Sequence, residues 1–277
     1  MTTLITGATG GIGASLVGRL AAADHAVRAG SRDPRKAAGL GTEIVELDLA
    51  APETFHEALA GVDRVFLYAE PAAIEDFVDF AERAGVRRVV LLSSDSAEMD
   101  DADHNSLARH HTDVERVLAA ASFSTTVLRP GTFATMTLDW AFFIRAGVPV
   151  EQPFWGACVD VIHPEDIADV AERALIDDDL EGSVLALGGP EVLSFHQQRD
   201  TLASLLAREL DWREPSREQA VQHLSRHAPL RLVDGILEYW AQIPRHHDEA
   251  RRSVERITGR PGRTFRQWAG ERLEAFR

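Results

Sequence analysis

The sequence predicts an α/β protein: a doubly wound parallel sheet followed by a smaller, mostly helical C-terminal lobe. Three observations predict it. Apolar strand-like runs alternate with helically spaced segments at about 25–30 residues per unit. A glycine turn joins the first strand to the first helix. After Gly188-Gly189-Pro190 the alternation stops. Beyond it Ser194-x-x-Gln197, Ser216-x-x-Gln219 and Thr264-x-x-Gln267 each match a capping box opening a helix. The expected division is therefore residues 1–190 and residues 191–277.

The first strand ends at Ile5 and runs into Thr6-Gly7-Ala8-Thr9-Gly10-Gly11-Ile12-Gly13. Ile12, Leu16, Val17 and Leu20 then recur at helical spacing. The G-x-x-G-x-x-G spacing is a variant of the dinucleotide fingerprint. Its first glycine permits a tight turn, its second lets backbone N–H groups approach a diphosphate, and its third lets the helix pack close. The helix N-terminus adds unpaired donors and partial positive charge.

His25 to Gly30 reads as the second strand, ending in Ser31-Arg32-Asp33-Pro34-Arg35-Lys36. In a dinucleotide fold this end meets the adenosine ribose, where an acid takes a free 2′-hydroxyl and arginine takes a 2′-phosphate. Arg32, with Arg35 and Lys36 behind it, favours NADP(H). Glu43 to Leu49 is a third strand with Asp48 near its end, and Pro52 to Leu59 a helix. Gly61 to Ala69 is a turn and a fourth strand, apolar enough for burial on both faces. Ile74 to Ala84 is a helix closed by Gly85, and Val86 to Leu92 a fifth strand entering Ser93-Ser94. A helix from Asn105 to Ala121 takes Asn105 or Ser106 as N-cap. Its face of His111, Val114, Leu118 and Ala121 points His111 at the sheet or crevice, while His104 and His110 read as nearer the surface.

Ser124 to Arg129 is a sixth strand, stopped by Pro130-Gly131. The stretch 132–155 is rich in large apolar rings, and Phe133, Met136, Trp140 and Trp155 are its candidates for an apolar substrate pocket. Val159 to His163 forms a short strand, Pro164 to Leu175 a helix and Ser183 to Leu187 a further strand. Asp160 and His163 are too few for a metal centre, so none is expected.

The net charge of −15 argues against direct contact with nucleic acid. No apolar run is long enough to span a bilayer. With the first strand at the start, no room is left for a signal peptide, and the expected location is cytoplasmic. Cys158 is the single cysteine, which excludes an internal disulfide. Lys36 is the only lysine among 29 basic residues, so a Walker-type phosphate loop is impossible at the glycine turn.

Several segments, in order, resemble the NmrA-like, atypical branch of the short-chain dehydrogenase/reductase superfamily. They are Thr6–Gly13, Ala29-Gly30-Ser31-Arg32-Asp33-Pro34, the run from Gly85 to Ser94, Leu128-Arg129-Pro130-Gly131-Thr132-Phe133, His163-Pro164-Glu165-Asp166-Ile167-Ala168, and the run from Thr258 to Phe265. The resemblance implies a Rossmann-type domain, NADP(H) as ligand, and a substrate cleft against the C-terminal lobe to which 133–157 contribute. The expected cofactor-binding set is Gly7, Ala8, Thr9, Gly10, Gly11, Ile12, Gly13, Arg32, Lys36, Asp48, Leu49, Ala69, Ser93, His111 and Pro130.

The chain departs from the superfamily at its usual acid, a Tyr-x-x-x-Lys pair on the helix after the fifth strand. Leu107 and His111 stand at those positions, and neither Tyr68 nor Tyr239 is followed by lysine four residues on. His111, oriented by Glu115 one turn on, is the leading substitute, with Ser93 and Ser94 in the usual serine region. Quinone-like or extended aromatic acceptors need the least help with protonation, so the expected activity is reduction of such a small molecule by hydride transfer. Two alternatives stay open: a redox sensor that binds NADP(H) without turnover and acts on a protein partner, and a scaffold repurposed for dehydration or cyclisation. Monomer and homodimer are both compatible with the sequence.

Overall fold

A computed structural model describes residues 1–226, 228–243 and 253–277. The chain begins with β1 (Thr2–Ile5), α1 (Gly11–Ala22), β2 (Ala26–Ser31), α2 (Pro34–Ala37), β3 (Glu43–Glu46) and α3 (Phe55–Leu59). It continues through β4 (Arg64–Tyr68), α4 (Ile74–Ala84), β5 (Arg88–Leu92), α5 (Ser106–Ala119) and β6 (Ser124–Pro130). α6 (Ala141–Ala146), β7 (Val150–Glu151), β8 (Cys158–Asp160), α7 (Pro164–Ile176), β9 (Val184–Leu187) and β10 (Val192–Ser194) follow. The last elements are α8 (Phe195–Leu206), β11 (Trp212–Arg213), α9 (Arg217–Leu224), α10 (Leu230–Gln242), α11 (Ser253–Thr258) and α12 (Phe265–Glu271).

A seven-stranded sheet runs β3-β2-β1-β4-β5-β6-β9. The pairs joining β1 through β6 are parallel. The order reverses between β1 and β4, where strand ends diverge and leave a crevice at their carboxyl side. Burial explains the arrangement. β5 is buried along its whole length, as a parallel strand covered on both faces must be. Its Arg88 is tolerated because its guanidinium meets Asp178 at 2.6 Å, Glu181 at 3.1 Å and the Asp177 carbonyl at 2.8 Å. α1 buries Ile12, Leu16, Val17 and Leu20, and α4 ends on Gly85 in the left-handed conformation.

The described chain forms two compact units, and they are not the contiguous halves expected from sequence. The first comprises Met1–Ala97, His110–Arg129 and Ile167–Ala186; the second comprises Glu98–Arg109, Pro130–Asp166 and Leu187–Arg277. The division at residue 190 was misplaced because the long segments after β5 and β6 have their own hydrophobic partners, which no local pattern announces. The core of the second unit gathers Trp140, Trp155, Phe195, Trp240, Phe265 and Trp268. All three predicted capping boxes form, at Ser194, Ser216 and Thr264. Asn105 caps α5 by accepting the N–H groups of Leu107 and Ala108 at 3.0 Å, and donates to the Gly235 carbonyl at 3.1 Å. His163 accepts the Glu165 N–H through Nδ1 at 3.0 Å and places Nε2 3.2 Å from Glu271.

Two strands depart most from their patterns. β3 stops at Glu46, three residues before Leu49, because Leu47 to Leu49 turn off to line the crevice. The strand expected over Val159 to His163 covers Cys158–Asp160 and pairs antiparallel with β10 rather than joining the large sheet.

Candidate functional site

A cavity of about 460 Å³ opens at the carboxyl ends of β1 to β4. Gly7, Thr9 and Gly10 line it from the turn after β1, and Ser31, Arg32, Asp33 and Lys36 from the end of β2. Leu47, Asp48 and Leu49 contribute from beyond β3, and Tyr68, Ala69 and Glu70 from the end of β4. Each group arrives at the carboxyl end of a parallel strand, and β1 and β4 flank the point where the strand order reverses.

The glycines of the turn are required by contact. Gly7 has φ +57°, and a Cβ there would lie 2.8 Å from the Tyr68 ring. A Cβ on Gly13 would collide with the Gly7 carbonyl oxygen and sit 3.0 Å from Ala8 Cα. The turn is closed by Gly10 N–H donating to the Gly7 carbonyl at 2.9 Å. α1 then starts without a side-chain cap, so the N–H groups of Gly11 and Ile12 lack an intrahelical partner. Ala8, Ile12 and Gly13 are buried beneath the turn and shape it from below.

The basic residues after β2 separate into two roles. Asp33 caps α2 and holds the Arg35 side chain at 2.9 and 3.1 Å, and that bond lowers the Asp33 carboxyl below its ordinary pKa. Arg35 is thereby engaged. Among the described residues neither Arg32 nor Lys36 forms a hydrogen-bonded ion pair, and both line the cavity. Asp48 accepts the Ala50 N–H at 3.0 Å, which fixes its carboxylate at the crevice edge.

Further along the sheet, the expected catalytic group is rearranged. Glu115 does not orient His111. It takes the Ser93 hydroxyl at 2.5 Å and both arms of Arg129, at 3.1 and 2.5 Å. A bidentate guanidinium outcompetes a neutral imidazole for a carboxylate. Ser93 is 3% exposed and its proton is committed to Glu115; Ser94 accepts the Ser96 N–H at 3.1 Å in a local turn. His110 is not a surface group: its Nε2 lies 3.0 Å from the carbonyl oxygen of Ala69, itself a cavity residue. His111 stands edge-on to His110 at 5.3 Å between centroids, and its Nδ1 is buried with no hydrogen-bond partner among the described residues. Burial, reinforced by the neighbouring His110, lowers its pKa to about 3. The ring is therefore neutral at physiological pH, contrary to the expectation that it titrates near neutrality.

The aromatic stretch also reads differently. Trp140 and Trp155 are 1% and 2% exposed, with ring centroids 5.5 Å apart. Their indole N–H groups donate to Gln152 at 3.0 Å and the Arg213 carbonyl at 3.1 Å. Met136 and Trp140 border a cavity of only about 10 Å³, and half-buried Phe133 bridges to Ile162 through its backbone. The two tryptophans are core, because a second apolar unit needed them. Pro130 ends β6 and is buried with that same unit.

Tyr68 escaped the sequence reading. It reads as one more apolar residue of a buried strand, and only its position at the strand's carboxyl end marked it.

The cavity fits a dinucleotide by its glycine cradle, its first-turn donors and the cations Arg32 and Lys36 on its wall, with an imidazole nitrogen that has no hydrogen-bond partner among the described residues farther along the same unit. Residues 7–178 match the NAD(P)H-binding family. This chain belongs to that family. Its ligand is NAD(P)H, and it is an oxidoreductase related to the reductases that follow. It is 34% identical over 282 residues to the (4-alkanoyl-5-oxo-2,5-dihydrofuran-3-yl)methyl phosphate reductase of Streptomyces griseus subsp. griseus, covering 99% of this chain and 98% of the relative. It is 29% identical over 283 residues to an NAD(P)H azoreductase of Xenophilus azovorans, again covering 99% and 98%. An NADPH-dependent quinone oxidoreductase from Escherichia coli, solved with NADPH, shares the fold at a TM-score of 0.80 and 22% identity, over 98% of each chain. No helix among the described residues is long and apolar enough to cross a membrane.

Proposed function

We propose that this chain uses NADPH to reduce a quinone-like or aromatic acceptor, a conjugated and electron-poor small molecule. The observation that carries the reading is the pair of cations Arg32 and Lys36, neither in a hydrogen-bonded ion pair among the described residues, in a crevice whose chain lacks the Tyr-x-x-x-Lys acid. Arg32 and Lys36 pair the 2′-phosphate, which supports NADP(H) over NAD(H). The free N–H groups of Gly11 and Ile12 take the diphosphate. His111 stays neutral and offers Nδ1 to a ribose hydroxyl, in the position where the superfamily has lysine. When bound, the cofactor supplies a hydride.

A positioned acid contributes about 10²–10⁴-fold to a rate that needs one. Ser93 cannot serve, since its proton is held by Glu115, and a neutral His111 is a poor acid. An acceptor that delocalises charge over its π system leaves protonation to solvent. Azo dyes and quinones meet that condition. So does the oxo- and alkanoyl-substituted dihydrofuran in the Streptomyces relative's name.

The test is turnover with NADPH deuterated at C4 against quinones, azo dyes and unsaturated lactones, with products read by mass spectrometry. Deuterium in a product is the expected result. Tight NADPH binding without transfer to any acceptor replaces the reductase by a sensor.

A further inference from the structure

Tyr68 is a polar side chain of the crevice that neither the glycine fingerprint nor the phosphate reading uses. Its N–H donates to Thr6 Oγ1 at 3.0 Å, and its ring stands edge-on to Phe66 at 5.6 Å, which fixes where the phenol points. The ring packs against Gly7, and the hydroxyl lies 3.6 Å from where a Gly10 Cβ would be. The Gly13 N–H, the remaining donor of the first turn of α1, bonds to that hydroxyl. A phenol that accepts one bond still has its own proton to give. Burial raises its pKa to about 12, so that proton is retained across the physiological range.

We infer that Tyr68 completes the diphosphate cradle, accepting the Gly13 N–H and donating its hydroxyl proton to a diphosphate oxygen of the bound dinucleotide. The inference rests on the dinucleotide reading of this crevice. Its physical sense is a relay: Gly13 is buried against Gly7 and Ala8, and the phenol carries the helix-end donor outward. The side chain thereby links the end of β4 to the turn after β1.

The experiment compares Tyr68→Phe with the unaltered protein for binding of NADPH and of adenosine 2′-monophosphate, which lacks the diphosphate. A hydrogen bond to a charged group corresponds to a loss of about 10-fold or more in NADPH affinity. Adenosine 2′-monophosphate should bind both proteins equally. Unchanged or tighter NADPH binding by the variant overturns the inference, and so does an equal loss for both ligands. Absence of NADPH binding by the unaltered protein sinks the dinucleotide reading itself. Tyr68 and Tyr239 are the only tyrosines, so ring-labelled unaltered protein gives a second readout that needs no folded Tyr68 variant. NADPH should move one of two tyrosine ring resonances and adenosine 2′-monophosphate should move neither, with Tyr239→Phe assigning the signal. If NADPH leaves the Tyr68 resonance in place, the inference is wrong.

Discussion

The crevice of the first unit and the aromatic cluster of the second differ in how they treat their polar groups. The crevice encloses about 460 Å³ and, among the described residues, leaves Arg32, Lys36 and the N–H groups of Gly11 and Ile12 without hydrogen-bonded partners. The cluster encloses about 10 Å³, and the indoles of Trp140 and Trp155 both have their partners within the unit. Burial of a polar group without a partner is costly, so a group left open at a cavity wall is being kept for something else. Ring content alone says nothing of the kind. Large rings are what a small unit uses to build a core.

The largest effect expected from this contrast is on stability. Trp140→Ala should cost about 3–5 kcal/mol in denaturant unfolding, because it removes a large buried ring and strands Gln152. NADPH affinity of the folded fraction should not change. A variant that keeps its stability and loses turnover would return Trp140 to the substrate wall.

Next in size is the crevice itself. Arg32→Asp should weaken NADPH by about 100-fold, on the order of 3 kcal/mol, by replacing a phosphate partner with a repelling carboxylate. NADH should lose much less, as read by calorimetric titration of both cofactors. Equal losses would remove the 2′-phosphate from the account.

The third effect is a slope. His111 has its pKa lowered from 6.5 to about 3 in the folded chain, so the unfolded chain binds the extra proton first. Its contribution is present in full above about pH 6.5 and is lost as pH falls toward 3. His111→Gln should therefore flatten the fall of unfolding free energy between those values, measured by urea midpoints across pH. An unchanged slope would show that the ring is hydrated and ordinary.

Much of the fold was legible because its signals are local. The Thr6–Gly13 turn, the Asn105 cap, the three capping boxes and the Gly85 stop each involve residues within a few positions of one another. The crevice was legible for a second reason: in a doubly wound sheet the strand ends themselves locate it, so Gly7, Gly10, Arg32, Lys36, Asp48 and Ala69 converge as the pattern implies.

Partner choice was not legible. Glu115 lies one helical turn from His111, and helix geometry alone pairs them; the tertiary fold instead brings Arg129 and Ser93 to the carboxylate, and the stronger bidentate contact wins. Tyr68 looked like strand filler until the turn after β1 closed over its ring. Sequence by itself thus determined the strand–turn–helix period, the glycine cradle and the loss of the Tyr-Lys acid, because these depend on residue identity at short spacing. Only the tertiary structure decided which rings became core, which carboxylate met which cation, and how solvent exclusion lowered the His111 pKa. Those outcomes come from competition among groups far apart in the chain, and burial sets the energy of each contact.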